Sequence, residues 1–171
     1  NPYATLSKGI QETSENGTLY VTSGTYSGSL NNGLTITQNI SIYGNGSDTI
    51  IDAEGNNYIF YINSGVAVTI QDLTLTKGNN GYGGAIKNEG TLTLSNCDFE
   101  NNTATTSGGA IYNTGTLYLT DCTLTNNTTT DGANGEDGTE SNPDGQDGSD
   151  GGSGGAIYNT GTITLTNCTL T

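Results

Sequence analysis

Apolar and polar residues alternate along three near-identical segments of the chain. Residues 83–102 read GGAIKNEGTLTLSNCDFENN, residues 108–127 read GGAIYNTGTLYLTDCTLTNN, and residues 154–171 read GGAIYNTGTITLTNCTLT. The period of two at Leu92 and Leu94, and again at Cys97 and Phe99, predicts strands with one buried face. The three-residue step from Leu94 to Cys97 breaks that period and predicts a corner. Each unit is therefore expected to hold three short strands, near residues 85–87, 92–94 and 97–99.

The units recur at a fixed spacing. The first two are offset by 25 residues and the second and third by 46, so one insertion separates the last two. A fainter copy precedes them, with its apolar positions at Val68, Ile70, Leu73 and Leu75, and residues 34–42 indicate an earlier, irregular turn. Fixed-period repetition is typical of a solenoid. Short strands between Gly and Asn corners predict an all-β parallel β-helix.

The leucine-rich repeat is the competing solenoid, because residues 117–124 fit part of its pattern. Its leading leucine is replaced here by Glu89, Thr114 or Thr160. The segment that should return as a helix is rich in Thr, Gly and Asn, which have poor helix propensity. The β-helix is therefore favoured.

The repeats predict one domain over residues 1–171, with an N-terminal cap at 1–17, irregular rungs at 18–82, regular rungs at 83–171 and an insertion at 128–153. Asn1 and Pro2 are expected to begin a short capping helix, whose apolar stripe of Tyr3, Leu6 and Ile10 would cover the first rung. The last rung is expected to be completed by further rungs or by another copy of the chain, because an open β edge invites pairing.

The composition changes this picture only at the surface. The chain has 17 Asp and Glu residues, three lysines, no arginine and a net charge of −14. Such a composition is typical of disorder, but the periodicity overrules it. Lys8, Lys77 and Lys87 cannot form a basic patch, which excludes nucleic acid as a partner. The acidic, Thr- and Asn-rich surface favours an extracellular location, and no apolar run is long enough for a membrane span.

Two repeat columns are expected to face inward. Cys97, Cys122 and Cys168 share one position of the unit and are interpreted as free buried thiols, with a Cys122–Cys168 disulfide as the alternative. Asn88, Asn113 and Asn159 share another position and are expected to form a hydrogen-bonded ladder along the stack. Both roles would be structural.

Seven Asn-x-Ser/Thr sequons make candidate glycosylation sites, although about as many would arise by chance in so Asn- and Thr-rich a chain. They lie at Asn16, Asn39, Asn45, Asn101, Asn126, Asn127 and Asn167.

The insertion is acidic and glycine-spaced. Its clustered carboxylates raise a calcium hypothesis, since Ca²⁺ prefers oxygen ligands. The candidate ligands are Asp131, Asp137, Asp144, Asp147 and Asp150. Packing on the β-helix flank, contact with another subunit and a merely solvated loop remain as alternatives, and no other cofactor is expected.

The repeat units resemble those of adhesin-like β-helix surface proteins of methanogens and bacteria and, less closely, chlamydial polymorphic outer-membrane proteins. The resemblance spans residues 18–171 and rests on GGAI(K/Y)N, on the TLTL-x-NC strand pair, and on GNGSDTIIDAEGN at residues 44–56. It implies a right-handed parallel β-helix that is displayed on a cell surface, and adhesion to a glycan or to a host or microbial surface protein. An end-to-end filament subunit is the second hypothesis.

Polysaccharide-cleaving enzymes related to pectate lyase share this fold, so a polysaccharide-binding or -cleaving role is a third hypothesis. Catalysis is not expected, because Arg and His are absent and Asp72, Asp98 and Asp121 fall at or near solvated corners. Tyr112 and Tyr158 share a column with Lys87, with Tyr118 nearby, and their rings could stack on sugars. Outward threonine ladders at positions 91, 116 and 162, with 93 and 164, raise an ice-binding hypothesis, which Tyr118 weakens because it interrupts the flat T-x-T face.

Overall fold

The computed structural model describes residues 4–131 and 150–171. One helix, α1 (Leu6–Glu12), begins the described chain, and strands follow it without a second helix among these residues. In chain order the strands are β1 (Gly17–Tyr20), β2 (Gly24–Tyr26), β3 (Leu34–Ile36), β4 (Ile40–Tyr43), β5 (Thr49–Asp52), β6 (Phe60–Ile62), β7 (Ala67–Gln71), β8 (Thr74–Thr76), β9 (Asn79–Tyr82), β10 (Ile86–Asn88), β11 (Thr91–Ser95), β12 (Asp98–Glu100), β13 (Thr103–Ser107), β14 (Ile111–Asn113), β15 (Thr116–Thr120), β16 (Thr123–Thr125), β17 (Thr128–Thr129), β18 (Ile157–Asn159), β19 (Thr162–Thr166) and β20 (Thr169–Leu170).

The strands wind into a parallel solenoid of about five turns. Sheet 1 has the order β1-β4-β7-β11-β15-β19, sheet 2 the order β3-β6-β10-β14-β18, sheet 3 the order β2-β5-β8-β12-β16-β20, and sheet 4 the order β9-β13-β17. Pairing is in register with the repeat, so Leu92 lies between Val68 and Leu117. The predicted β-helix with a short N-terminal helix is confirmed.

Left-handed residues make the corner between sheets 1 and 3. Asp72, Asn96, Asp121 and Asn167 hold φ angles of 57°, 49°, 54° and 52° at matching positions of successive rungs. Asn and Asp tolerate this conformation because their short polar side chains bond locally, whereas bulkier residues pay a steric cost. The three-residue step that the sequence shows between Leu94 and Cys97 is this corner.

The paired glycines of the GGAI motif meet two separate needs. Gly83 and Gly108 have a φ of 70°, which favours glycine. A Cβ on Gly84 would collide with the carbonyl oxygen of Gly109 in the next rung. The motif therefore lets the chain turn and lets successive rungs approach closely.

The regular rungs contain a fourth strand that the apolar pattern does not predict. Sheet 4 pairs Thr103 with Asn79 on one side and with Thr128 on the other. Of the five residues of β13, Ala104 is the one buried apolar side chain. The prediction of three strands per rung is therefore wrong for this part of the molecule, because backbone pairing rather than an apolar face defines the fourth strand.

The core is one narrow stack of apolar side chains along the axis. Phe60 and Phe99 are fully buried, as are Ile70 and Leu94. Each rung adds a few such residues, so burial depends on contact with the rungs above and below.

Helix α1 closes the first rung. Leu6 is buried and Gly9 lies against Leu19, so the helix covers the open end of the core. Its N-cap is Thr5, whose side chain accepts a hydrogen bond from the backbone N–H of Lys8. The predicted start at Asn1 and Pro2 lies outside the described residues; in the described part the helix begins at Leu6, where the threonine oxygen satisfies one of the first free N–H groups.

The insertion leaves and re-enters the solenoid within sheet 4. Thr128 and Thr129 pair with β13, and Ser153 forms a bridge with Ser107. The N–H of Gly152 donates to the carbonyl of Thr130 over 3.0 Å, which closes the neck. The insertion is therefore shorter than the predicted 128–153 and comprises residues 131–151. These are 21 residues, which is the difference between the offset of 46 and the regular offset of 25.

Deleting residues 131–151 should preserve the fold, because Thr130 and Gly152 are already joined by a hydrogen bond and the shortened unit regains 25 residues. The deletion removes seven of the 17 acids and changes the net charge from −14 to −7. We expect cooperative thermal unfolding with a Tm within about 5 °C of the parent chain, measured by circular dichroism. A matched deletion of residues 105–107 breaks register in sheet 4 and should lower Tm markedly. Loss of cooperative unfolding in the 131–151 deletion would contradict this account.

Candidate ligand-binding face

The outward side of sheet 2 carries a column of large side chains. Tyr61, Lys87, Tyr112 and Tyr158 are direct neighbours across paired strands. They point outward because the residues beside them in each strand, such as Ile86 and Asn88, point into the core. Tyr58 and Tyr82 flank this column, and these six residues are called the tyrosine strip below.

The rings of the strip pack on one another. Tyr112 and Tyr158 are stacked, with centroids 5.2 Å apart and an interplanar angle of 7°. Tyr82 approaches Tyr112 edge-on at 5.0 Å, and Tyr58 approaches Tyr61 edge-on at 6.2 Å. One face of Tyr112 is thus covered by Tyr158, so the strip offers a ligand ring edges and phenol hydroxyls rather than a row of open ring faces.

A charged pair interrupts the column without giving it net charge. The ammonium of Lys87 lies 4.7 Å from the ring centroid of Tyr61 and 2.8 Å from the carboxylate of Glu89. The hydroxyl of Tyr61 donates to the other carboxylate oxygen of Glu89 over 2.7 Å. Glu89 therefore neutralises the lysine and fixes the tyrosine ring.

These contacts shift the titration of all three groups. The hydrogen bond from Lys87, and then that from Tyr61, lowers the pKa of Glu89. The hydrogen bond to Glu89 raises the pKa of Lys87, and it also raises the pKa of Tyr61 together with partial burial. The three groups keep the same ionisation over a wide range around neutral pH.

Tyr118 does not belong to this strip. It lies on sheet 1, paired with Thr93 and Thr164. The corner between β14 and β15 turns the chain onto another face after Asn113, so closeness in sequence to Tyr112 is misleading. The predicted ladder of Thr91, Thr116 and Thr162 lies on sheet 1 and is continuous, whereas Tyr118 interrupts the neighbouring column between Thr93 and Thr164.

The asparagine column predicted from the repeat lies inside the solenoid. The amide of Asn88 donates to Asn113 over 2.6 Å, and the amide of Asn113 donates to Asn159 over 2.6 Å. Asn88 and Asn113 are fully buried. The amide of Asn88 also donates to the carbonyl of Thr116, and the amide of Asn113 to the carbonyl of Thr162, in each case one rung further along the solenoid. This ladder supports the strands that carry the tyrosine strip.

A second asparagine ladder was missed by the sequence analysis. Asn102 is fully buried, and its amide donates to Asn127 over 2.9 Å and to the carbonyl of Leu75 over 3.0 Å. The amide of Asn127 donates in turn to Phe99. The 25-residue offset of the two asparagines was the available signal. The predicted sequon at Asn127 conflicts with this position, because a buried, bonded amide leaves no room for a glycan.

The other predicted glycosylation sites lie nearer the surface. Asn39 is half-buried, and its side-chain oxygen accepts from the N–H of Ala67. The exposed sequons are at Asn16, Asn45, Asn101, Asn126 and Asn167. Glycosylation at these positions stays a prediction.

The three cysteines lie one above another, each directly before a strand of sheet 3, at the starts of β12, β16 and β20. Cys97 and Cys122 are buried free thiols, whereas Cys168 is partly exposed on the last described rung.

The acidic residues considered for catalysis or calcium are dispersed where the structure describes them. Asp72 and Asp121 accept hydrogen bonds from the amides of Asn96 and Asn167 at the corner, and Asp98 lies in β12. Asp131 and Asp150 are exposed at the ends of the insertion. The other calcium candidates, Asp137, Asp144 and Asp147, lie outside the described residues. Within 4–131 and 150–171, no three metal-binding side chains of His, Cys, Asp or Glu come together.

Comparison with known proteins gives one family match. A model of the Chlamydia polymorphic membrane protein repeat matches residues 96–114 and 121–160. Over about a third of its length, the chain is similar to this repeat. No curated protein and no solved structure matches the chain. The matched residues include both GGAIYN motifs, at 108–113 and 154–159, and the insertion between them, in agreement with the more distant of the two resemblances drawn from the sequence.

Among the residues that the structure describes, helix α1 is too short to cross a membrane, and no other helix is present.

Replacing Asn113 by alanine should destabilise the fold by about 2 to 4 kcal/mol, because the change removes three hydrogen bonds of a buried side chain, to Asn88, to Asn159 and to the carbonyl of Thr162. Urea unfolding would measure the loss. Asn79→Ala is the matched control, since Asn79 is exposed on β9, and it should change the free energy of unfolding by less than about 0.5 kcal/mol. Equal effects of the two changes would contradict a buried ladder.

The Glu89 cluster should make stability depend on pH. Because the folded pKa of Glu89 lies below the unfolded value of about 4.3, its contribution is full at neutral pH and disappears as pH falls through the folded pKa. The raised pKa values of Lys87 and Tyr61 mean that their contributions are lost as pH rises through those folded values. The parent chain and the Glu89→Gln variant should have different free energies of unfolding at pH 7. The two values should converge near about pH 2. A difference that persists undiminished at that pH would show that ionisation of Glu89 is not its cause.

Proposed function

We propose that this chain is a non-catalytic binding module displayed at a cell surface, and that it adheres to a glycan through the tyrosine strip. The similarity to the polymorphic membrane protein repeat supports surface display. The strip itself is the observation that carries the binding role, since five of the ten tyrosines gather on one face.

The strip is suited to binding because it is rigid before a ligand arrives. Ring stacking, the Lys87–Glu89 ion pair and the buried asparagine ladder hold its side chains in place. Tyrosine supplies large, amphipathic contact area at a low conformational cost. Little entropy is therefore lost on binding, which favours affinity from a small contact area.

The size and charge of the strip favour a glycan over a folded protein. A standard protein interface buries about 800 Å² on each partner. The strip is one residue wide along most of its length, and Tyr112 and Tyr158 are each half-buried, so it is narrow for such an interface. Because Glu89 neutralises Lys87, the strip and its ion pair carry no net charge, on a chain whose net charge is −14. A neutral, extended sugar chain, whose hydroxyls can bond to phenol hydroxyls and to the ion pair, fits these properties.

The non-catalytic character rests on the chemistry of the described surface. Asp72 and Asp121 are engaged by asparagine amides at the corner instead of converging on a cleft. General acid–base cleavage of a glycan needs two carboxyl groups placed across one bond. The described residues therefore favour glycan binding over glycan cleavage.

End-to-end assembly is a second candidate, favoured by the last described rung. Leu165 is 46% exposed and Leu170 is 44% exposed, although their counterparts Leu119 and Leu124 are buried. A further rung of the same chain or a rung of another copy would cover them. Sedimentation at increasing concentration distinguishes the two candidates, since a filament subunit grows with concentration.

The binding role predicts different outcomes for two tyrosines. Tyr112→Ala removes the centre of the strip and should weaken retention on immobilised neutral glycans by about 10-fold or more, because a central aromatic anchor contributes above 1 kcal/mol. Tyr118→Ala is the control, since Tyr118 is 43% exposed on sheet 1, away from the strip. Binding to a glycan array and to whole cells measures both. Equal losses, or retention of binding in Tyr112→Ala, would contradict the proposal.

A further inference from the structure

A cleft lies beside Tyr20 on the first rung, away from the tyrosine strip. It has two lobes, with volumes of about 420 Å³ and about 460 Å³, and Tyr20, Val21 and Thr22 line both of them. Each volume falls in the range of small-molecule sites, about 300 to 1,000 Å³. The cleft is therefore large enough to hold part of a ligand in each lobe, and Tyr20 stands where the lobes meet.

The first lobe lies between helix α1 and strand β1. Leu6, Leu19 and Val21 are buried and form its apolar floor. Every residue from 17 to 22 lines it, which indicates that the edge of the strand forms its wall, since one face of a strand contributes only alternate residues. Strand β1 is the outermost described strand of sheet 1, so this edge offers a ligand backbone N–H and C=O groups.

The polar side chains of the cleft are held in place before a ligand arrives. In the second lobe the amide of Asn45 donates to the hydroxyl of Ser23 over 2.9 Å. Where the lobes meet, the hydroxyls of Thr22 and Tyr26 lie 3.0 Å apart. A hydroxyl can donate one hydrogen bond and accept two, and an amide nitrogen carries two protons. Both pairs therefore keep hydrogen-bonding capacity for a ligand.

Tyr20 differs from the tyrosines of the strip because most of its ring is open. It is 74% exposed, and Tyr43 approaches it edge-on with the ring centroids 5.9 Å apart. Tyr112 of the strip, by contrast, has one face covered by Tyr158. The ring of Tyr20 can thus offer a face on which a ligand stacks.

The charge and chemistry of the lining indicate the class of ligand. Among the described residues that line the two lobes, Glu12 is the one charged side chain, and Lys8 already pairs with it. A neutral ligand is therefore favoured over a charged one. A sugar ring has an apolar face, which suits an aromatic ring and an apolar floor, and a rim of hydroxyls, which suits Ser23 and Asn45. An extended peptide could pair with the edge of β1, but two lobes on either side of an aromatic side chain suit two rings better than one continuous strand.

We propose that the cleft beside Tyr20 binds a neutral oligosaccharide, with one sugar ring in each lobe. The site is separate from the tyrosine strip, because Tyr20 lies on sheet 1 and the strip on sheet 2. It gives the chain a second point of attachment, which raises retention on a surface that repeats the same sugar. Its occupation does not depend on the binding role of the strip.

Titration of the isotope-labelled chain with neutral disaccharides (cellobiose, chitobiose, maltose and lactose), followed by NMR, tests the site. We expect saturable shifts of the backbone amide signals of Thr22, Ser23 and Asn45 with at least one of these sugars. Tyr20→Ala should weaken this binding at least about 10-fold, because the central aromatic surface is lost. Tyr118→Ala is the matched control, since Tyr118 is exposed on the same sheet but does not line the cleft, and it should change the affinity by less than about two-fold.

Tyr112→Ala separates this site from the strip, because it should leave the shifts at the cleft intact whatever it does to retention on immobilised glycans. Circular dichroism checks that each variant folds. Ser23→Ala provides a second, smaller change inside the cleft and should weaken binding about three-fold, because one hydrogen-bonding group is lost. The proposal is overturned if none of the four disaccharides shifts the cleft signals, if the shifts map to the tyrosine strip alone, or if Tyr20→Ala binds as tightly as the parent chain.

Discussion

Stacking in register along the axis is the constraint on which the rest of this molecule depends. A single rung buries too few apolar groups to offset the cost of ordering about 25 residues, so it is stable only against its neighbours. Each position of the repeat must therefore suit the same position one rung away. Asn88 bonds to Asn113 and Leu92 packs beside Leu117, because a step of one rung brings like residues together. Helix α1 supplies at one end the cover that a neighbouring rung supplies elsewhere.

The same constraint shapes the surface. A residue repeated in the sequence becomes a continuous strip on one sheet, and a different residue at one position interrupts that strip. Sheet 2 thereby acquires tyrosines broken by the neutralised pair of Lys87 and Glu89, while sheet 1 acquires threonines broken by Tyr118. Insertions are tolerated where they leave the ladder and return to it at adjacent backbone groups, as at Thr130 and Gly152. A solenoid can thus vary its faces and loops while its core stays unchanged.

Much of this was predictable from the sequence, because the 25-residue offset fixes which residues are neighbours. The strands through Leu92 and Phe99 followed from the apolar pattern, and the hydrogen-bonded column that contains Asn113 followed from the repeat offset. The fourth strand did not, since backbone pairing defines it. Asn102 was missed because an asparagine after a strand resembles a solvated corner residue. Tyr118 was set beside Tyr112 because the two are close in sequence, although they fall in successive strands of the unit, which belong to different sheets. Ring packing within the tyrosine strip depends on side-chain orientation, which a repeat offset does not specify.

Exchange of asparagine side-chain amide protons, followed by NMR, tests the axial stacking most directly. If the amides bridge rungs inside the core, the Nδ2 protons of Asn88 and Asn102 should exchange at least about 100-fold more slowly than those of the exposed Asn79. Such protection would show that these groups are buried and paired along the axis. Equal exchange rates for all three asparagines would contradict the stacked ladder and, with it, the rigid face on which the proposed binding role depends.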